Sequence, residues 1–351
     1  MTALSQTDMS RFAAARPLSG ESVLSEMDPT RLDAGTLALV GDIGGTNARF
    51  ALMLADGELI AQRNLRVRDF PSAEKAAEHY LQEVLAGGRP RAAIVAVAAP
   101  SRGDRVEMTN SGWDFSVSDA GSQLGIDHVF VMNDYAAVCW GMLALDPSEL
   151  VQIGGQPLKS RIGRFAAVGA GTGLGVGAVE RDADGRMTVV DTEGGHVDFA
   201  PATQEEDAIL VALRKRFGRV SSERLLSGQG LVNIYDAISG RESGEPPEAI
   251  TARAASGDPD CMRAIDHFCA IFGTFAGNVA LMHSAYDGLF LTGGMVRAMA
   301  DRLAAGTFRA RFESKGRFSG IVARIPTMLV SDPAIGLRGA AAALQARTAR
   351  Q

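Results

Sequence analysis

Three cysteines in 351 residues, Cys139, Cys261 and Cys269, are too few and too oddly placed for a disulfide framework or a zinc site. A reducing cytoplasm suits them best. No uninterrupted apolar run approaches the roughly 18 residues of a membrane span, and Met1 to Gly35 lacks the long apolar core of a secretion signal. Positive charge is also short. With 35 Lys and Arg against 41 Asp and Glu, the formal net charge of −6 gives no reason to expect nucleic acid or an anionic membrane as a partner. No G-x-x-x-x-G-K-[ST] string occurs, which excludes a Walker-type nucleotide site. What remains is a soluble globular composition on a chain too long for one hydrophobic core, so two lobes are the default expectation.

Glycine is abundant: 40 of 351 residues, about 11% against a usual ~7%. The excess gathers in a few loops. The first is in Leu37 to Leu54, LALVGDIGGTNARFALML, where Leu37 to Val40 and Ala48 to Leu54 read as antiparallel strands and Gly41 to Asn47 as their turn. Gly44 and Gly45 allow positive φ and let main-chain N–H groups approach an anion closely. Asp42 faces the same space. A carboxylate there would repel a bare phosphate, which argues for an intervening cation such as Mg²⁺. A plain glycine-rich turn is the competing reading.

Glu58 to Val67 reads as a third strand, Pro71 to Leu85 as a helix capped by Ser72, and Arg91 to Ala98 as a strand covered on both faces. Val106 to Trp113 is polar like a connecting loop, with Thr109 and Asn110 offering hydrogen-bonding side chains. His128 to Met132 is the next strand. It delivers Asn133 and Asp134 into the helical pattern Tyr135 to Leu145, where Asp134 serves as N-cap, as general base, or as both. A second strand, glycine turn and strand follows in FAAVGAGTGLGVGAVE. Its match to G-x-G-x-x-A is rejected because a strand, not a helix, comes next. Two such copies imply two related lobes gripping a phosphate chain. Glu193 and His196, with Glu223 further on, suit a polyhydroxyl ligand better than a metal, since no third ligand of suitable spacing is evident. Helices are expected over Glu205 to Phe217, Leu231 to Ile238, Pro247 to Ser256 and Pro259 to Met282. In the last, Gly273 and Gly277 signal either a closely approaching helix or loosened packing. Gly288 to Thr292 leads into a third glycine turn at Gly293 and Gly294, Ile325 to Val330 is a final strand, and Gly336 to Ala349 a closing helix.

LVGDIGGTNARFAL at 39 to 52, EMTNSGWDFS at 107 to 116, MNDYAAV at 132 to 138, GAGTGLGVG at 169 to 177, EGGHVDFAP at 193 to 201, SSERLLSGQGLVNIY at 221 to 235 and LTGGMV at 291 to 296 together closely resemble bacterial glucokinases, of the hexokinase and actin-like ATPase superfamily. The resemblance runs from about Leu37 to the C-terminus. It implies an α/β, two-lobed ribonuclease-H-like fold with mixed sheets flanked by helices and an active site in the interlobe cleft. Residues 36–145 with the closing helix 334–351 would form the small lobe, 146–333 the large one, and 1–35 a flexible extension that carries no chemistry.

The implied reaction is ATP-dependent phosphorylation of D-glucose at its C6 hydroxyl. By the same resemblance Asp134 is the general base, and Asn110, Asn133, Asp134, Glu193, His196 and Glu223 bind glucose. Gly41, Asp42, Ile43, Gly44, Gly45 and Thr46 form the first phosphate loop, Gly169, Gly171, Thr172 and Gly173 the second, and Gly293 and Gly294 contact adenosine. Asp42 holds Mg²⁺ through water. A homodimer is expected. The rival readings are a kinase for mannose, fructose or N-acetylglucosamine and a sugar-responsive repressor. The latter needs a DNA-binding domain and a cysteine-rich zinc motif that the sequence does not display.

Overall fold

The computed structural model of the chain describes residues 36–99, 103–108 and 112–348. The N-terminal extension and Asn110 lie outside the described residues. The chain divides into two compact units, one running to Ala144 and resuming at Ala334, the other Leu145–Pro333.

The first unit opens with β1 (Thr36–Ile43), β2 (Asn47–Leu54), β3 (Leu59–Arg66), α1 (Ala73–Leu85), β4 (Ala92–Val97), β5 (Arg105–Glu107), β6 (Asp114–Ser116), α2 (Val117–Leu124), β7 (His128–Asn133) and α3 (Asp134–Met142). Its main sheet has the order β3-β2-β1-β4-β7, with β1, β4 and β7 parallel. Alternation along β1 serves both faces. Leu39 and Ile43 join Phe50, Leu52 and Tyr80 on one side, while Ala38 and Val40 join Met53, Ile94 and Ala96 on the other. The apolar run over β4 is therefore covered twice, as its sequence requires. Ser72 caps α1 by accepting the Lys75 N–H at 3.3 Å.

The first glycine turn is tighter than the sequence implied. Gly41, Asp42 and Ile43 belong to β1, paired Gly41 to Phe50 and Ile43 to Ala48, which leaves only 44–46 to turn the chain. Gly41 is tightly packed, since a Cβ there would lie 3.1 Å from Val95 Cγ1 and 3.2 Å from the Phe50 ring, which would have to give way. Neither Gly44 nor Gly45 uses positive φ. Of the segment 106–113, expected as a loop, the first two residues belong to β5 and the rest lies between β5 and β6. Val106 pairs with Phe115, and both are buried with Trp113, so apolar anchoring outweighs local polarity.

The second unit comprises β8 (Leu150–Gly154), β9 (Gly163–Ala170), β10 (Leu174–Arg181), β11 (Met187–Thr192), α4 (Gln204–Phe217), α5 (Gly228–Ser239), α6 (Pro247–Ala255), α7 (Pro259–Met282), β12 (Gly288–Thr292), the short helices α8 (Gly294–Ala298), α9 (Ala300–Ala304), α10 (Thr307–Glu313) and α11 (Ser319–Val322), and β13 (Thr327–Val330). The closing helix α12 (Ile335–Thr348) returns to the first unit. The sheet order β11-β10-β9-β12-β13-β8 repeats the first unit's pattern of a hairpin whose leading strand also pairs in parallel, with β8 added antiparallel at one edge. Among the described residues only α7 is long and apolar enough to cross a membrane, and 67% of its apolar window is buried inside the unit. Its Gly273 and Gly277 admit α10 closely: a Cβ at Gly273 would lie 2.1 Å from the Phe308 carbonyl oxygen, and one at Gly277 2.5 Å from that of Phe312.

Candidate functional site

In the first unit the parallel strands end level with one another, Ile43 beside Val97 and Val97 beside Asn133. The glycine turn, the segment leading toward Asn110, and the Asn133-Asp134 junction all leave the sheet at that end, where ligands of open α/β sheets bind. Asp42 and Asp134 stand two strands apart, roughly 10 Å in strand spacings. The N-cap of α3 is Asn133, not Asp134 as one sequence reading had it. Asn133 Oδ1 accepts the N–H groups of Tyr135 at 2.9 Å and Ala136 at 3.1 Å. Asp134 is the first helical residue, half-buried, and accepts the Tyr135 N–H at 2.8 Å. The helix dipole there favours its ionised form. Helix α3 is seated by α12 at near-contact distance, because a Cβ at Gly339 would lie 1.7 Å from the Ala137 carbonyl oxygen.

Asp42 is held from two sides. Directly across the hairpin, Arg49 Nη1 donates to its Oδ2 at 3.1 Å, and a Cβ on Gly336, in the first turn of α12, would come within 3.0 Å of its carboxyl group. Burial pushes the Asp42 carboxyl above its ordinary range, and the Arg49 guanidinium opposes that rise. Sequence reasoning missed Arg49, although its register opposite Asp42 follows once the turn is set at 44–46. At Gly44 a Cβ would meet nothing closer than the Asn47 carbonyl oxygen, 3.8 Å away. Internal packing places no demand for glycine there.

The second glycine turn is differently supported. Gly169 and Ala170 end β9, and the turn over 171–173 is closed by Gly171 N–H donating to the Gly173 carbonyl at 2.9 Å. Gly228, at the start of α5, donates its N–H to the Gly171 carbonyl at 2.9 Å, a contact that the SSERLLSGQG string did not disclose by itself. The third turn lies alongside, since Thr292 of β12 pairs with Gly169 of β9. Gly293 has φ +97° and would put a Cβ 2.2 Å from the Ala170 carbonyl oxygen, so no other residue fits.

Glu193, His196 and Glu223 gather beside these turns. His196 Nε2 lies 3.8 Å from Glu193 Oε2, and its Nδ1 lies 3.8 Å from Glu223 Oε1. Both gaps exceed hydrogen-bond length. Partial burial, with Glu223 and Asp191 adding repulsion, raises the Glu193 carboxyl above its usual range while His196 opposes the shift. No group of three His, Cys, Asp or Glu suited to a metal ion occurs among the described residues. The cluster therefore offers carboxylate acceptors around an imidazole, a set matched to hydroxyl donors.

Residues 39–347 match the glucokinase family model. The chain belongs to the glucokinase family. It is 45% identical to a glucokinase of Stenotrophomonas maltophilia over 318 residues, covering 87% of this chain and 93% of the relative. Among solved structures, a glucokinase from an Antarctic psychrotroph superimposes with a TM-score of 0.75 at 35% identity, covering 88% of this chain and 98% of that one. A glucokinase from Balamuthia mandrillaris in complex with glucose also gives 0.75, at 18% identity and with coverage of 96% and 98%, a likeness of fold alone. The fold is the actin-like ATPase fold. As a glucokinase, the chain is an enzyme that transfers a phosphoryl group from ATP to the C6 hydroxyl of glucose, yielding glucose 6-phosphate and ADP.

Proposed function

We propose that Asp134 is the general base of this reaction and removes the C6 proton as the hydroxyl attacks the γ-phosphate of ATP. The observation that carries the assignment is the placement of Asp134 at the carboxyl end of β7, on the N-terminus of α3, level with the turn that follows Asp42. A carboxylate kept ionised beside a helix N-terminus is ready to take a proton. Asn110, Asn133, Glu193, His196 and Glu223 orient the sugar hydroxyls. Main-chain N–H groups of the two turns other than those of Gly44 and Gly171, which close the turns themselves, meet the phosphates, and Gly293-Gly294 meets adenosine. The open space at Gly44 supports this reading, because a phosphate needs the room that packing does not use.

The residues also fit Mg²⁺. Magnesium is held by one or two carboxylates together with substrate phosphates, and Asp42 is a single enclosed carboxylate at the glycine turn. Asp42 would hold the ion through water, and the ion would neutralise charge on the phosphoryl oxygens. Alignment and charge neutralisation are most of what phosphoryl transfer asks of a protein. We place the enzyme in the cytoplasm as a homodimer. Three buried free thiols suit that reducing compartment, and light scattering tests the assembly.

The deciding experiment is a coupled assay of ADP release with ATP and Mg²⁺ against glucose, mannose, fructose and N-acetylglucosamine, for the wild type and Asp134→Ala. Glucose is preferred, and Asp134→Ala lowers kcat by about 10²–10⁴ while still binding glucose. A folded Asp134→Ala enzyme within tenfold of wild-type turnover removes Asp134 from the role of base.

A further inference from the structure

The strongest unassigned feature is the way the Glu193–His196 segment and the second glycine turn share Leu174. Leu174 directly follows Gly173 and begins β10. Its N–H donates to Glu223 Oε2 at 3.0 Å. Its carbonyl oxygen would be 1.9 Å from a Cβ on Gly195, so the segment between Glu193 and His196 rests on the same residue. Glu223 Oε1, its other oxygen, faces His196. Five residues on, Gly228 N–H bonds the carbonyl of Gly171, and Ser227 Oγ donates to the Glu223 carbonyl at 3.0 Å. The stretch from Glu223 to Gly228 thus grips the turn at both ends, with one carboxylate oxygen on the turn and the other toward the sugar residues.

We infer that Glu223 is a positioning residue for the second phosphate loop as well as a sugar ligand, so that glucose and nucleotide affinities are coupled through the Glu223–Leu174 hydrogen bond. The inference rests on the site assignment above. A hydroxyl that donates to Oε1 orders the Glu223 side chain, and an ordered side chain holds the Leu174 N–H, and with it the turn, in one place. Binding linkage is reciprocal, so nucleotide in the loop must favour glucose by the same factor.

The test measures AMPPNP affinity by titration calorimetry with no sugar present, for wild type, Glu223→Gln and Glu223→Ala. Gln keeps a carbonyl acceptor for the Leu174 N–H, whereas Ala keeps none. The expected result is about tenfold weaker AMPPNP binding in Glu223→Ala and a change within about twofold in Glu223→Gln, although both lose glucose affinity. A residue that served only the sugar would leave sugar-free AMPPNP binding unchanged in both, and that outcome, or equal weakening in both, overturns the inference. Should Glu223→Ala not fold, amide exchange in the wild type decides: saturating glucose slows exchange at Leu174, and no change there sinks the coupling. If wild type binds neither glucose nor AMPPNP, the underlying site assignment falls, a result distinct from two ligands that bind independently.

Discussion

The two units use one device in two ways. Each sets a glycine turn between antiparallel strands whose leading strand also pairs in parallel. In the first unit the turn is lightly supported. Gly44 N–H bonds Asn47 across it, Thr46 accepts from Val67, and Gly44 itself touches little. In the second unit the equivalent turn is braced by Gly228, by Glu223 through Leu174, and by Gly293 pressed against Ala170. The difference teaches that the second turn is held by its neighbours, Gly293 among them, rather than by crowding at its own glycine, since a Cβ would meet nothing closer than 3.8 Å at Gly44 or 4.0 Å at Gly171.

The largest contrast lies in the ion pairs. In the second unit Glu206, only 1% exposed, accepts both Arg311 Nη1 at 2.7 Å and Nη2 at 3.1 Å, and takes the Ala202 N–H as well. Glu206→Ala should cost about 3 kcal/mol in urea unfolding, the low end for a broken buried pair because Arg311 keeps some exposure. Asp42→Asn in the first unit should behave oppositely. Its folded pKa is raised, so the fold gains from the uncharged form, and the Asp42 contribution to stability is lost as pH rises through that value. Stability should hold or increase in Asp42→Asn, while activation by Mg²⁺ weakens at least about tenfold. Equal unfolding costs for the two variants would erase the contrast.

A smaller effect separates the glycines. Gly293→Ala should lose about 1–3 kcal/mol from its backbone conformation alone, before the clash with Ala170 is counted. Gly44→Ala should stay within about 0.5 kcal/mol of wild type and show its effect as a raised KM for ATP. Thermal melts paired with ATP titrations distinguish them, and a destabilised Gly44→Ala protein with normal ATP kinetics would break the comparison.

The smallest expected effect is a pH dependence confined to the second unit. With its pKa raised chiefly by burial, Glu193 favours folding in its protonated form, and that contribution fades as pH rises through the raised value. The opposite, ionised form is the stronger acceptor for a sugar hydroxyl. Glucose affinity should therefore fall on acidification, beginning at a higher pH than an ordinary Glu would give, and Glu193→Gln should flatten that limb. An unchanged limb in the variant assigns the titration elsewhere.

Much of the frame was legible in the sequence because it rests on local periodicity. Apolar runs marked β1, β2, β4, β7, β9 and β12, and Ser72 announced α1. The strand β11 and the short helices α8 to α11 carried weaker signals. β11 is an exposed edge, and the helices span seven residues or fewer, where packing rather than period decides. The loop over 106–113 was readable from its polarity, but its anchoring was not, because Val106 pairs with Phe115 at its base and both are buried. At the candidate site, the junction carrying Asp134 was readable from strand followed by helix. The cap was not, since Asn133 and Asp134 are equally good cap formers and only the chain path into α3 selected Asn133.

By itself the sequence determined most of the sheet strands, β1, β2, β4, β7, β9 and β12 among them, and through seven matching strings it determined the family. Tertiary structure alone decided that Gly273, Gly277 and Gly293 answer to packing, which carboxylate is neutralised and by whom, and that Leu174 joins two segments about twenty and fifty residues away. Periodicity reports a residue's own backbone and face. Partners at the start of a returning helix or beneath a distant segment are set by closure of the chain, and no local pattern records them.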